Sequence, residues 1–318
     1  MTSPASPFLS QIEPVCPADL LARAQALPPP RVAIARAGAE LPMIAAKEAT
    51  DLGIMTPVFT GERSDIQRVA DQLNWDISSY PLIDTIGEAD AGAAAAYACG
   101  HDQADILMKG QLHSDMFLKT AIAKTAGLRT GNRLIHIFHL SHPAGGQPIL
   151  ITDAAVNVSP DLATRKTAAQ EVVTLLHKLG NSRPKIAFLS ATESPISSIP
   201  SSTEARELRD WAIENIADAD FSGPLALDLI LSAHSAAIKG MADDPVAGRA
   251  DAIVVPDIVS GNVLFKALVY LSGGCAAGLI TGAKVPLLLT SRSDPPAARL
   301  ASIALAAVAS AKNTANPT

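Results

Sequence analysis

The chain has 318 residues, more than most single hydrophobic cores organise and enough for two α/β domains. Its net charge is −6 with only 4% aromatic residues and no basic stripe, which excludes the electrostatic footprint of a nucleic-acid binder. Apolar residues make up 48%, yet no apolar run reaches the roughly 18 residues of a membrane span, so none is expected.

The opening residues, MTSPASPFLSQIEP, carry no basic residue ahead of their apolar positions and no signal-peptide pattern, so a cytoplasmic location is expected. ADLLARAQAL (18–27) reads as a helix ending at a Pro run, and RVAIA (31–35) as a first strand. A helix from Gly38 stops at Gly53, a strand covers 54–59, and amphipathic or Ala-rich helices cover 62–74 and 88–100. The strand 104–108 ends at Lys109-Gly110, and a helix over 116–126 follows with Ser114 or Asp115 as its cap. Strands 133–140 and 148–152 flank a Pro/Gly loop that suits either a hairpin or a crossing between domains. A helix over 161–179 is expected, with Ser159 and Pro160 as its start signal. Beyond it come a strand (185–189), a helix (203–216), a strand (225–231) and a short helix (235–240). The last third holds strands at 252–255, 276–280 and 286–290, a helix from Val263 to Leu271 and an Ala-rich helix over 295–312. Alternation of this kind predicts a parallel sheet with helices on both faces.

Polar groups cluster where these apolar strands stop, the edge at which open α/β sheets bind ligands. The strand 252–255 runs into Pro256-Asp257 and then Ser260-Gly261-Asn262; Lys266 stands four residues beyond Asn262, on the same helix face. The last strand ends directly in Ser291-Arg292. An amide, an ammonium and a guanidinium at strand ends suit an anionic ligand. The three cysteines, Cys16, Cys99 and Cys275, lack paired spacing, so buried thiols are expected rather than a disulfide framework or zinc site. His136, His139 and His142 form no zinc pattern, and solvent-facing strand positions account for them. Neither a Walker A sequence nor a convincing GxGxxG occurs.

The ordered blocks ADILMKGQLHSD (104–115), GLRTGNRLIH (127–136), LITDAAVNVSPDL (150–162), GPLALDLILS (223–232), DPVAGRADAIVVPDIVSGN (244–262) and GAKVPLLLTSR (282–292) together resemble the phosphate acetyltransferase and phosphate butyryltransferase family. The resemblance covers roughly the last two thirds of the chain. It implies two α/β domains with a cleft between them, similar to isocitrate and isopropylmalate dehydrogenases. The expected division is residues 1–146 with 280–318, and 147–279. It also implies a homodimer that exchanges an acyl group between coenzyme A and inorganic phosphate, with no metal and no cofactor beyond the coenzyme A thioester itself. The acetyl-specific form is the better match, without the hydratase domain often fused to it; the alternatives are a butyryl-specific enzyme or a non-catalytic binder of coenzyme A and phosphate. A metal-dependent dehydrogenase on the same architecture would need clustered aspartates and an adenine site, and the sequence offers neither.

By the same resemblance, Arg292 would hold phosphate or the acyl carbonyl and Ser291 would donate to the developing oxyanion or to phosphate. Asn262 would bond the acyl oxygen or phosphate, with Lys266 adding charge. Family members often carry an acidic residue several positions after Ser-Arg as the base for the thiol. Here Asp294 is the only nearby carboxylate, in a different register. Asp294, another group, or no dedicated base would then serve. Lys109, His113, Ser114, Arg129 and Thr192 are expected substrate-binding residues. Asp153, Asn157 and Asp257 read as loop scaffolding.

Overall fold

In the computed structural model, residues 6–290 and 293–311 are described. The chain forms two compact units: Cys16–Leu134 with Ala277–Thr318, here the first unit, and Met1–Val15 with Ile135–Ala276, the second.

The first unit opens with α1 (Ala18–Gln25), β1 (Arg31–Ala35), α2 (Glu40–Asp51), β2 (Thr56–Gly61), α3 (Arg63–Gln72), β3 (Leu82–Asp84), α4 (Gly87–Gly100), β4 (Ile106–Lys109) and α5 (Ser114–Ala121). The chain then builds the second unit from β5 (Ile135–Ser141), β6 (Ile149–Thr152), α6 (Leu162–Lys178), β7 (Lys185–Leu189), α7 (Pro200–Asn215), β8 (Asp220–Leu225), α8 (Leu227–Leu231), α9 (Ala233–Ile238), β9 (Ala252–Val254) and α10 (Ile258–Ser272). It returns through β10 (Cys275–Thr281) to β11 (Leu287–Leu288) and α11 (Pro296–Ser310).

Strand order in the first unit is β3-β2-β1-β4-β11-β10, parallel except where β10 meets β11 antiparallel. Val32 to Ala35 and Ile106 to Met108 are buried, as continuous apolar strands between helices require. In the second unit the order is β5-β6-β9-β7-β8, again parallel except for the β5–β6 pair. That antiparallel pair makes the Pro/Gly loop at 142–146 a hairpin connection.

Several expected elements shift. The apolar run 225–231 is not a strand. The strand is Asp220–Leu225, and Leu227–Leu231 is a helical turn that buries Leu229 and Ile230. β8 lies at a sheet edge, where Pro224, lacking an N–H, breaks no required ladder bond. The sequence pattern also missed β3, whose three residues are only half-buried or exposed. Helix α6 lies where expected, but its cap is Asp161 rather than Ser159: the Asp161 side chain accepts the Thr164 N–H at 2.8 Å. Neither Ser114 nor Asp115 caps α5: the N-cap position belongs to His113. Helix α10 begins five residues before the expected Val263, because Asp257 caps it by accepting the Ser260 N–H at 2.9 Å. His136 and His139 are buried rather than solvent-facing, and Cys16 is only half-buried while Cys99 and Cys275 are buried. Among the described residues, no helix is long and apolar enough to cross a membrane.

Candidate functional site

In the first unit, β4 delivers Lys109 to the carboxyl end of the parallel strands. The next residue is Gly110, whose N–H donates to the Ala35 carbonyl at 2.9 Å, and Gln111 donates to the Arg36 carbonyl at 2.8 Å. A Cβ on Gly110 would stand 2.4 Å from both of those oxygens, so the close approach needs glycine. It holds the ends of β1 and β4 together and fixes where Lys109 points from.

Beside them lies a cavity of about 300 Å³, lined by Ala39–Pro42 at the start of α2, by Met108–Gln111, by Thr290 and by Arg299. Lys109 is 8% exposed and Arg299 is 7% exposed. Helix α2 starts at Ala39 without a side-chain cap, so its first-turn N–H groups have no intrahelical partner. Two buried cations and an uncapped helix start make a pocket suited to an anion, with the exposed Glu40 on its rim.

A charged network continues from the same strand ends. Arg36 follows β1 in a left-handed conformation, φ +57. Its guanidinium meets Glu62 at 3.1 Å and Glu88 at 3.5 Å. It also reaches the Gln111 carbonyl at 3.5 Å, on the cavity wall. The Arg36 hydrogen bond, then the Gly87 N–H, hold the Glu62 carboxyl down at about 2. Glu88 accepts the backbone N–H of His113 at 3.0 Å and lies 2.9 Å from its ring Nδ1. The backbone bond, then the ring, then the nearby charges of His113 and Arg36, hold the Glu88 carboxyl below its ordinary value.

The second unit carries its own strand-end groups. Asp153, after β6, is buried and accepts from the backbone N–H groups of His136, Ala155 and Val156 and from Asn157 Nδ2. It is a loop clamp, and Asn157 is one of its donors. Burial pushes His136 down to about 4, against the nearby Asp153 charge. Gly261 packs α10 onto Ala154, leaving a Cβ only 2.9 Å from its backbone. Asn262, on the second turn of α10 rather than at its start, donates to the Ala154 carbonyl at 3.3 Å.

The expected site residues therefore divide. Lys109 lines the cavity, and Thr290, which precedes Ser291 in the chain, lines it too. Ser291 and Arg292 themselves lie outside the described residues. His113 and the exposed Ser114 open α5, directly after β4. Asp294 sits two residues before α11. Arg129 is exposed in the loop after α5, its Nε donating to the Ile122 carbonyl at 2.5 Å. Asn262, Lys266 and Thr192 belong to the second unit; Lys266 is exposed, and the half-buried Thr192 accepts the Ser194 N–H at 3.2 Å. Sequence reasoning missed Arg299, Arg36, Glu62 and Glu88. Arg299 had a signal: it is the only charged residue in α11, where every residue from Ala298 to Ala309 is buried. Among the described residues, no group of three or more His, Cys, Asp or Glu side chains could hold a metal ion.

The family model for phosphate acetyl/butaryl transferase matches residues 84–307. The phosphate acetyltransferase of Rhizobium meliloti is 37% identical over 297 residues, 93% of this chain and 94% of that protein. The phosphate butyryltransferase of Clostridium beijerinckii is 32% identical over 296 residues, 93% of this chain and 98% of that one. Among solved structures, a branched-chain phosphotransacylase from Enterococcus faecalis V583 superposes with a TM-score of 0.78 at 30% identity, covering 88% of this chain and 98% of its own.

Proposed function

Because this chain belongs to the phosphate acetyl/butaryl transferase family, we propose that it is a phosphate acyltransferase converting acetyl-CoA and phosphate to acetyl phosphate and CoA, reversibly. The observation that carries the reading is the cavity holding Lys109 and Arg299 at the strand end that leads into Ser291-Arg292. Both substrates are polyanions, and an acidic protein must gather its cations locally to bind them.

Attack of phosphate on the thioester carbonyl, or of thiolate on the acyl phosphate carbonyl, builds negative charge on the carbonyl oxygen. Fixed donors aimed at that oxygen lower the barrier, and cations that hold the phosphoryl group in line lower it further. Lys109, Arg299 and the start of α2 take the phosphate role in this reading. Arg292 holds phosphate or carbonyl, and Ser291 donates to the oxyanion. Asn262, Lys266, Ser114, Arg129 and Thr192 remain as further substrate contacts, and Asp294 as a carboxylate near the reacting groups. No metal and no cofactor beyond the coenzyme A substrate takes part.

The preference for acetyl over longer acyl groups is part of the proposal. It is supported by the higher identity to the acetyl-named relative, 37% against 32%. A cytoplasmic location belongs to it as well: none of the three cysteines forms a disulfide, as a reducing compartment requires. So does a homodimer, supported by the exposed apolar residues Val259, Val263 and Tyr270 along α10.

The test is thiol release from acetyl-CoA and butyryl-CoA with and without phosphate. Phosphate-dependent release, faster with acetyl-CoA, is expected. Release that ignores phosphate, or tight coenzyme A binding without turnover, would overturn the assignment. Faster release from butyryl-CoA would overturn the acyl preference alone.

A further inference from the structure

We propose that His113 is the base that takes the thiol proton of coenzyme A, and that Glu88 is its positioning residue. The inference rests on the acyltransferase reading above and supplies the group that the segment after Ser291-Arg292 leaves open.

Two bonds to one carboxylate set the geometry. Glu88 accepts the His113 backbone N–H at 3.0 Å and meets the ring Nδ1 at 2.9 Å. A carboxylate at Nδ1 selects the tautomer with its proton there, so the neutral ring carries its lone pair on Nε2. The His113 side chain is 71% exposed, which leaves that edge open to an incoming thiol. Arg36 holds Glu88 from behind at 3.5 Å while its other edge binds Glu62. The same guanidinium reaches the Gln111 carbonyl on the cavity wall, so the pair is tied to the anion pocket. An ion pair that only decorated the surface would need neither the second bond to the backbone nor the support behind it.

Among the described residues, few charged groups are brought towards the imidazole. Helix α4, packed on α5, brings Glu88, and the end of β1 brings Arg36, with Glu62 behind it at the end of β2. On α5 itself, Asp115 lies in the first turn and Lys119 in the last.

In the direction that forms acyl-CoA, Nε2 accepts the S–H proton and the sulfur electron pair bonds the acyl carbon. The tetrahedral intermediate then collapses, the bond from acyl carbon to phosphate oxygen breaks, and phosphate leaves with that pair. The proton on His113 passes to phosphate or solvent. In the opposite direction the imidazolium returns a proton to the departing thiolate.

The experiment measures acetyl-CoA formation from acetyl phosphate and CoA against pH for the full chain, His113→Asn and Glu88→Gln, with the thermal midpoint of each as a folding control. General-base removal costs about 10²–10⁴-fold; a fall of that size in kcat is expected for His113→Asn, with the KM for acetyl phosphate little changed. The acidic limb of the wild-type profile should vanish in His113→Asn, and added imidazole should restore part of the rate. The deficit should shrink at high pH, where the thiol ionises unaided. Glu88→Gln should lower kcat about tenfold, less than loss of the base itself. A folded His113→Asn protein with the wild-type rate and acidic limb would overturn the assignment to His113. A wild type with no phosphate-linked turnover at all would overturn the function, and the base with it.

Discussion

Gly110 lies directly under Ala35: its N–H donates to the Ala35 carbonyl at 2.9 Å, and a Cβ there would stand 2.4 Å from the same oxygen. Backbone atoms cannot swing aside as a side-chain tip can. Gly110→Ala must therefore part β1 from β4 at the end that carries Lys109. The expected cost is about 1–3 kcal/mol of stability, as for overpacked cores. It should show as a lower urea midpoint together with a raised KM for phosphate. An unchanged midpoint and KM would mean the contact is not rigid.

Lys109 and Arg299 are both nearly buried at one cavity. Hydrogen bonds to charged groups are worth about 1.5–3 kcal/mol. Lys109→Met, which keeps much of the side-chain volume, should then raise the KM for phosphate or for acetyl-CoA by about 10–100-fold. Arg299→Met should act on the same KM. If instead both variants lose kcat at constant KM, the pocket is not where the ground-state anion sits.

Asp153 gathers four donors, three from backbone N–H groups and one from Asn157. Asp153→Ala leaves those donors without their acceptor, the buried His136 N–H among them. A loss of about 3 kcal/mol or more is expected. Asn157→Ala removes only one donor and should cost about 1 kcal/mol. Chemical denaturation of the two variants, each against wild type, measures the difference; equal losses would contradict the clamp.

Much of this architecture was legible in the chain, and the reasons differ by residue. Continuous apolar runs such as Val32–Ala35 and Ile106–Met108 can be satisfied only between helices, so strands and sheet class followed from them. Lys109 was visible because a charge directly follows such a run. What was not legible depends on partners distant in sequence. Glu88 and His113 stand 25 residues apart and meet because α4 packs on α5. Arg36 and Glu62 meet because β1 pairs with β2. The start of α10 was misplaced because Ser260-Gly261 reads as a turn. In the fold Asp257 caps the helix earlier, and Gly261 is small so that the helix can rest on Ala154.

Glu62 makes acid stability measurable. Its carboxyl lies at about 2 in the fold, mainly through Arg36 and then the Gly87 N–H, against about 4.3 for a free glutamate. A depressed carboxylate stabilises the fold fully above its unfolded value and loses that contribution as pH falls through the folded one. The gap in thermal midpoint between wild type and Glu62→Gln should therefore be widest above about pH 5 and close towards pH 2. A gap that stays constant with pH would mean that Arg36 does not favour the charged form.

Helix α10 exposes an apolar stripe that the proposed homodimer would cover. Val259 is 66% exposed, Val263 63% and Tyr270 52%, and they recur at helical spacing with Lys266 among them. Of the fifteen residues in this apolar helix, only Gly261 is fully buried. Covering such a stripe with its copy from a second subunit would remove apolar surface from water at about 25 cal/mol per Å² and produce a self-complementary two-fold contact. Val263→Glu places like charges against one another in that contact while leaving the inner face of α10, with Gly261 and Asn262, untouched. Light scattering should report a dimer for the wild type and a monomer for the variant, with circular dichroism unchanged. A wild-type monomer, or a Val263→Glu dimer of undiminished affinity, would place the subunit contact elsewhere or remove it.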